Sequence, residues 1–338
     1  MQTITQDKLD INILKTGSPV QRPRSWQIES FCTRTFEYVD YSLRKALAGS
    51  LDICLQCTFF LAQNGDSILA AAGCLHSEDN PAVAILGPVC TDPQYREKGL
   101  AFQVCSMLLD HLKAQKIQAV YLGVKGNVPA INLYKKLGFI QHSGIVMRKL
   151  FTDKDGFNKR YSAGQETIIR QINWSDFAEV SSLLCEPAKI VSFDFFEQIF
   201  SCRYTAIQRF LPVFPSLMNC LAKDGGLGLV LQTTENKSII GTAFIKPSPS
   251  ALQDHIAILE FFVLDGFADE AAELVFETIN QSGFCGNRTI LCYCPECDIY
   301  KKQILLMLGA EPCAVFPDFV RIKNKLHKTI IYKFTRKL

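Results

Sequence analysis

The chain has 338 residues, 48% of them hydrophobic and 20% charged, with a formal net charge of +3. That is enough apolar material for the cores of two domains. It is too little net charge to argue for nucleic acid or an anionic membrane as a partner.

In chain order, residues 11–14 predict a strand, and Pro23 opens a helix reaching to about Tyr38. Cys57–Gln63 and Ser67–Leu75 read as a hairpin whose Asn64-Gly65 pair suits the positive φ of a type I′ turn. Val83–Thr91 is the next strand. Leu100, Val104, Leu108 and Leu112 then fall four apart, the buried stripe of a helix. Ile117–Val124 predicts a strand, Pro129–Leu137 a helix stopped by Gly138, and residues 139–150 one or two closing strands. Phe151–Gly164 is polar and glycine-punctuated, which suits a linker.

After it the pattern repeats. Thr167–Gln171 is a strand, Ser175-Asp176 caps a helix, and Gly228–Gln232 with Ser238–Ile245 is a second hairpin. Ile256–Leu264 is a strand, Asp269–Ile279 a helix, Thr289–Cys294 a strand, and Asp298–Leu308 a helix ending at Gly309. The basic tail Arg321–Leu338 ends in a strand around Ile330–Phe334. We read an internal repeat with domains at 1–152 and 165–338.

One stretch carries chemistry. Val89, Cys90 and Thr91 end a strand; a Pro93 turn follows, then Arg96, Glu97, Lys98, Gly99, Leu100 and Ala101 lead into the helix. Such a loop aims unpaired amides and the positive end of the helix dipole at one spot, which suits a phosphate or diphosphate. Gly99 allows close backbone approach, Ala101 keeps the next position small, and Arg96 and Lys98 add positive charge. About 30 residues on comes Asn127-Val-Pro-Ala130-Ile-Asn-Leu133-Tyr134-Lys-Lys-Leu137-Gly138-Phe139.

Together, Arg96-x-x-Gly99-x-Ala101 and that second segment resemble the acyl-CoA motifs of the GNAT superfamily of N-acetyltransferases, strongly over about residues 50–150. The resemblance implies an α/β (α+β) fold of two tandem GNAT-like domains, each a twisted mixed sheet flanked by helices. It implies an acyl-CoA-dependent N-acetyltransferase that moves acetyl from acetyl-CoA to an amine by direct attack in a ternary complex. It also implies that Val89, Cys90 and Thr91 bind the pantetheine arm through main-chain groups, with an N–H near Cys90 facing the oxyanion. Tyr134 becomes the general acid, and Asn127 a pantetheine contact that can also cap its helix. Cys90 is read as a strand cysteine and not a nucleophile.

The second copy lacks this equipment. Asp298 stands where the first copy has Asn127, and Leu305 where it has Tyr134. Two acidic residues, Asp265 and Asp269, flank its helix start and would repel a diphosphate. The C-terminal domain is therefore expected to be structural or to form the acceptor pocket. The family's frequent strand glutamate is missing from Ala84–Val89 and Val120–Val124, leaving loop acids such as Glu78 and Asp79 as unranked bases.

Cys294-Pro-Glu-Cys297 is a CxxC with no second knuckle at cage spacing, and Cys54-Leu-Gln-Cys57 enters the first hairpin strand, so no metal is expected at either. No run of about 18 apolar residues occurs, and the polar start from Met1 lacks a signal core. The expectation is a cytoplasmic protein whose 14 cysteines are reduced. The partners expected are acyl-CoA and an unidentified amine, with neither nucleic acid nor membrane, and a homodimer stays open. The alternative function is a non-catalytic acyl-CoA sensor.

Overall fold

The computed structural model describes residues 11–36, 41–124, 126, 128–190, 210–248, 250–284, 288–322 and 325–334. The first sheet holds β1 (Asn12–Gly17), β2 (Leu55–Asn64), β3 (Ser67–Ser77), β4 (Val83–Thr91), β5 (Ala119–Gly123), β6 (Ile140–Ser143) and β7 (Val146–Leu150). Their spatial order is β1-β2-β3-β4-β5-β7-β6. Helices α1 (Arg24–Phe36) and α2 (Tyr41–Leu47) join β1 to β2; α3 (Leu100–Ala114) joins β4 to β5; α4 (Val128–Lys136) follows β5.

The second sheet holds β8 (Thr167–Gln171), β9 (Leu227–Thr233), β10 (Ile239–Pro247), β11 (Ile256–Val263), β12 (Thr289–Pro295), β13 (Glu311–Ile322) and β14 (Lys325–Phe334). Its order, β13-β14-β12-β11-β10-β9-β8, is the first sheet's order with seven added to every number. Between the sheets in sequence lies α5 (Lys154–Asn158); α6 (Phe177–Leu183) and α7 (Phe210–Asp224) join β8 to β9, α8 (Ala268–Gln281) joins β11 to β12, and α9 (Ile299–Met307) follows β12. By packing, one compact unit takes the residues up to Leu122 with Gly126–Ile140 and Arg148–Phe151. The other takes Gly123–Lys125, Gln141–Met147 and the residues from Thr152 onward.

Each sheet contains a short parallel pairing among the described residues. β4 meets β5 at Val83↔Ala119, Ala84↔Val120 and Ile85↔Tyr121; β11 meets β12 at Ile256↔Thr289, Ala257↔Ile290 and Ile258↔Leu291. Parallel neighbours need a crossover, which α3 and α8 supply. α3 buries Leu100, Val104, Cys105, Leu108, Leu109 and Leu112, so its period-four stripe faces the sheet. Among the described residues no helix is long and apolar enough to cross a membrane.

Helices α4 and α9 end alike. Gly138 N–H donates to the Lys135 carbonyl at 3.0 Å and Phe139 N–H to that of Tyr134 at 2.9 Å. Gly309 and Ala310 repeat those two bonds to Leu306 and Leu305, both at 3.0 Å. This is the paired-bond terminator that a left-handed glycine makes, and Gly138 and Gly309 have φ of 86° and 72°. Tyr134 and Leu305 therefore hold the same position in their helices.

Three local expectations are corrected. The β2–β3 turn centres on Gly65 and Asp66, and only Gly65 of the two has a positive φ, so it is not type I′; Asn64 stays in the strand. The segment read as a linker folds: Asp153 Oδ1 accepts from Gly156 N–H at 2.7 Å to start α5, Phe157 is buried, and Arg160 pairs with buried Glu179 at 2.6 Å. Asp176 caps from the other side of the turn: Asn173 is the cap residue of a 3-10 turn (Trp174–Asp176) running into α6, and Asp176 closes a capping box with it. Asp176 accepts from Asn173 N–H at 2.9 Å and from Arg170 Nη1 and Nη2 at 2.8 and 2.6 Å.

Candidate active site

The loop after β4 is built by its own short-range bonds. Asp92 Oδ1 accepts from Gln94 N–H at 3.0 Å and the Asp92 carbonyl from Tyr95 N–H at 2.9 Å, which sets the Pro93–Tyr95 turn. Glu97 and Gly99 then take φ of 62° and 79°. A Cβ on Gly99 would meet nothing within 4 Å, so its glycine answers to backbone conformation and not to crowding. The loop faces outward: Arg96 through Gly99 are all exposed.

Its amides are bare. The first bond into α3 runs from Gln103 N–H to the Gly99 carbonyl at 3.1 Å. Among the described residues, no carbonyl accepts from the amides of Lys98 through Phe102. Gly99 offers no side-chain cap, and the first turn of α3 holds no acidic residue. The helix thus presents its positive dipole end and unpaired donors to solvent. Around it, Arg96 Nε donates to the Thr91 carbonyl at 3.5 Å, and Lys98 Nζ lies 4.8 Å from the Tyr95 ring centre.

The strand leading there has parted from its neighbour. β4 runs on to Thr91, but its pairing with β5 stops at Ile85. Pro88 lacks an N–H, Gly87 takes φ 151°, and the β3 register slips between Ala72 and Cys74, so the ladder is broken just where the strands diverge. Val89, Cys90 and Thr91 still pair with Ala72, Ala71 and Ala70 on β3. Because main-chain groups of successive residues point to opposite strand edges, those not used by β3 face the gap.

Tyr134 is 8% exposed and packs edge-on against Phe139, with ring centres 5.9 Å apart. Among the described residues its hydroxyl has no hydrogen-bond partner. Burial, then the neighbouring Cys105 and Cys90 thiols, push its pKa well above the ordinary phenol value, so it is a neutral donor at physiological pH. Of the predicted residues, the structure gathers Arg96 to Gly99 on one loop, Leu100 and Ala101 in the first turn of α3, Val89 to Thr91 on the strand feeding the loop, and Tyr134 near Cys90. Asn127 lies outside the described residues.

Glu78 and Asp79 fall in the turn before Val83, at the far end of β4 from the Asp92–Gly99 loop. Sequence reasoning missed Cys32 on α1, whose Sγ lies 3.7 Å from that of Cys90. Its only signal was an apolar face shared with Ile28 and Phe31. A cleft of about 420 Å³ was also missed; it runs beside α3 and is lined by Phe102, Ser106, Lys113, Lys136, Lys149 and Phe151 among others.

The equivalent region of the second sheet is filled. Glu260, two residues past the last β11–β12 pair, bonds Lys301 of α9 at 2.5 Å, and both side chains are 0% exposed. Burial opposes charge on Lys301, but Cys292, Glu260 and Asp298 more than offset it and hold its pKa up. Asp269 and Glu270 occupy the first turn of α8, where α3 has no acid. Among the described residues no three His, Cys, Asp or Glu converge on a metal-sized site.

Residues 24–139 match the family described as "Acetyltransferase (GNAT) family". No curated protein matches the sequence. Similar solved structures include the ribosomal-protein-alanine N-acetyltransferase from Brucella melitensis, at 14% identity and TM-score 0.41, covering 49% of this chain and 98% of that one. An N-acetyltransferase from Staphylococcus aureus Mu50 has 13% identity and TM-score 0.38, covering 51% of this chain and 99% of that one. The structure of yncA from Salmonella typhimurium with its cofactor acetyl-CoA has 14% identity and TM-score 0.39, covering 51% and 94%. The family match runs from the first residue of α1 past Gly138 and takes in the bare-amide loop, the parted strand and Tyr134: this chain carries a GNAT acetyltransferase domain.

Proposed function

We propose that residues 1–152 are an acetyl-CoA-dependent N-acetyltransferase acting in a ternary complex, and that residues 165–338 are a degenerate copy with a structural role. The observation that carries this is the run of unpartnered amides from Lys98 to Phe102 beside the gap between β4 and β5. The amides and helix dipole hold the diphosphate, while Arg96 and Lys98 add mobile charge at its edge. The pantetheine arm lies along Val89–Thr91 and, with Asn127, brings the thioester to Tyr134. The nucleotide end follows α3 toward the cleft with Lys113, Lys136 and Lys149, whose three positive charges face one carboxylate, Asp110.

The amine lone pair attacks the thioester carbon and the carbonyl electrons move to oxygen. A β4 main-chain N–H near Cys90 donates to that oxyanion. Collapse restores the carbonyl and breaks the C–S bond, and the sulfur takes the Tyr134 proton while the new ammonium loses one to water. A raised phenol pKa keeps the proton in place but weakens the acid. Desolvation in the same gap raises the thiolate's proton affinity too, so the transfer stays feasible.

The second copy lacks each of these parts: Leu305 replaces Tyr134, acids replace the bare helix start, and an ion pair fills the space between strand and helix. Thiol release from acetyl-CoA, measured over a panel of amines, tests the reading. Wild type should turn over with at least one amine, and Tyr134→Phe should lose about 10²- to 10⁴-fold in kcat with little change in acetyl-CoA KM. Binding without turnover on any amine, or an unimpaired Tyr134→Phe, would refute it.

A further inference from the structure

Cys32 and Cys90 stand 58 residues apart in sequence, on α1 and β4, yet their sulfurs are 3.7 Å apart and both residues are 4% exposed. Both belong to one apolar cluster with Ile28, Phe31, Phe59 and Ala71. Cys90 is also the middle residue of the strand segment that borders the acyl gap. Neither thiol has a task in acetyl transfer. We propose that this pair is an oxidation site: a hydroperoxide converts it to a Cys32–Cys90 disulfide that ties α1 to the acyl strand and weakens acetyl-CoA binding.

The chemistry balances with one hydroperoxide. One sulfur of the pair attacks the O–O bond, forming S–O and releasing hydroxide, which leaves as water with that thiol's proton. The second sulfur attacks the sulfenic sulfur, forming S–S and expelling water with the second proton. Each sulfur gives up one electron and the peroxide takes two. Closing to the ~2.05 Å of a disulfide asks for an approach of roughly 1.7 Å, within reach of side-chain rotation and a small shift of α1. The Cys32 hydrogen bond, then burial, push the Cys90 thiol far up, so attack through that sulfur is slow. The fixed neighbour makes the closing step fast once a sulfenic acid exists.

The effect on binding rests on the function proposed above; formation of the bond does not. Closing the bond pulls Cys90 toward α1 and with it the main-chain groups that face the gap; losing one such hydrogen bond to the pantetheine corresponds to about a tenfold fall in acetyl-CoA affinity. By linkage, bound acetyl-CoA should disfavour the disulfide at equilibrium and make it easier to reduce.

Hydrogen peroxide treatment of the full chain, peptide mapping by mass spectrometry and calorimetric titration with acetyl-CoA make the test. The expected result is a Cys32–Cys90 cross-linked peptide, the affinity loss, and recovery of both by dithiothreitol. Cys32→Ser, with Cys32→Ala as a second version checked by thermal unfolding, should bind acetyl-CoA as wild type does and be insensitive to peroxide. Absence of the cross-link, or cross-linking through other cysteines, would overturn the site. A cross-link with unchanged affinity would overturn the coupling. Reduced protein that never binds acetyl-CoA would overturn the coupling together with the acetyltransferase reading, while the mass measurement would still judge the disulfide by itself.

Discussion

Placing one carboxylate in the first turn of α3 should separate folding from binding. In Ala101→Asp the new side chain joins a helix start that has no acidic residue and no side-chain cap. A carboxylate there is favourable to the free helix by about 0.3–1 kcal/mol, so the protein should be as stable as wild type or slightly more so. The same charge would sit about 6 Å from a bound diphosphate. Coulomb's law gives about 0.7 kcal/mol per charge pair at that distance in water and about 2.8 at an effective dielectric of 20. For the two diphosphate charges the penalty is about 1.4–5.5 kcal/mol, so acetyl-CoA binding should weaken at least tenfold, less at high salt. Calorimetry with acetyl-CoA, thermal unfolding of the same sample, and Ala101→Ser as the neutral control read both quantities. Affinity within twofold of wild type, in a folded variant, would refute the assignment of this helix start to the diphosphate.

The raised pKa of Tyr134 means its proton-donating form persists beyond the ordinary phenol range, so kcat should show no loss between pH 7 and 10 from this group; a descending limb below pH 10 that Tyr134→Phe removes would contradict it. Cys74 and Cys105 are buried thiols pushed up to about 12 from the usual 9.0. Above pH 9 the unfolded chain releases these protons while the folded chain keeps them, so stability falls as pH rises through 9 toward 12. Between pH 7.5 and 10 the pair should lose about 3 kcal/mol, read by denaturant unfolding under reductant, and a flat profile would sink the argument. Lys301→Met leaves Glu260 buried without its cation, which should cost about 3–5 kcal/mol, and Glu260→Leu added to it should restore most of that. Acetyl-CoA affinity should be the same in both variants; a large change would place the ligand in the second unit.

Much of the fold was readable because core-facing elements obey simple periods. The α3 stripe, the alternation-free buried strands β4 and β11, and Gly138 and Gly309 past their helices follow from where apolar groups and positive φ must go. What escaped reading lacks such a period. β13 is exposed along most of its 12 residues and slips register at Pro312/Ala314 and again at Phe316/Val320, so no alternation marks it. Helix α7 carries Pro215 inside it, a residue that ordinarily argues against a helix, and tertiary packing of Phe214 and Leu217 overrides that preference. The folded segment at 154–161 is locally polar; its order comes from the Arg160–Glu179 pair, whose partner lies 19 residues away.

At the candidate site the loop was legible because the role proposed for it rests on the backbone, which glycine and proline spacing reveal. The Cys32–Cys90 contact was not, since proximity across a helix and a strand leaves no mark in either sequence segment. The ion pair that fills the second unit was half visible: Glu260 could be placed on its strand, but nothing local said that Lys301 would be fully buried against it.

Backbone amide chemical shifts during titration with CoA, an adenosine diphosphate fragment and pantetheine test the central claim most directly. The account predicts that Lys98, Gly99, Leu100, Ala101 and Phe102 amides move with both diphosphate-bearing ligands and stay near their free positions with pantetheine. CoA binding that leaves those five amides unmoved would contradict it.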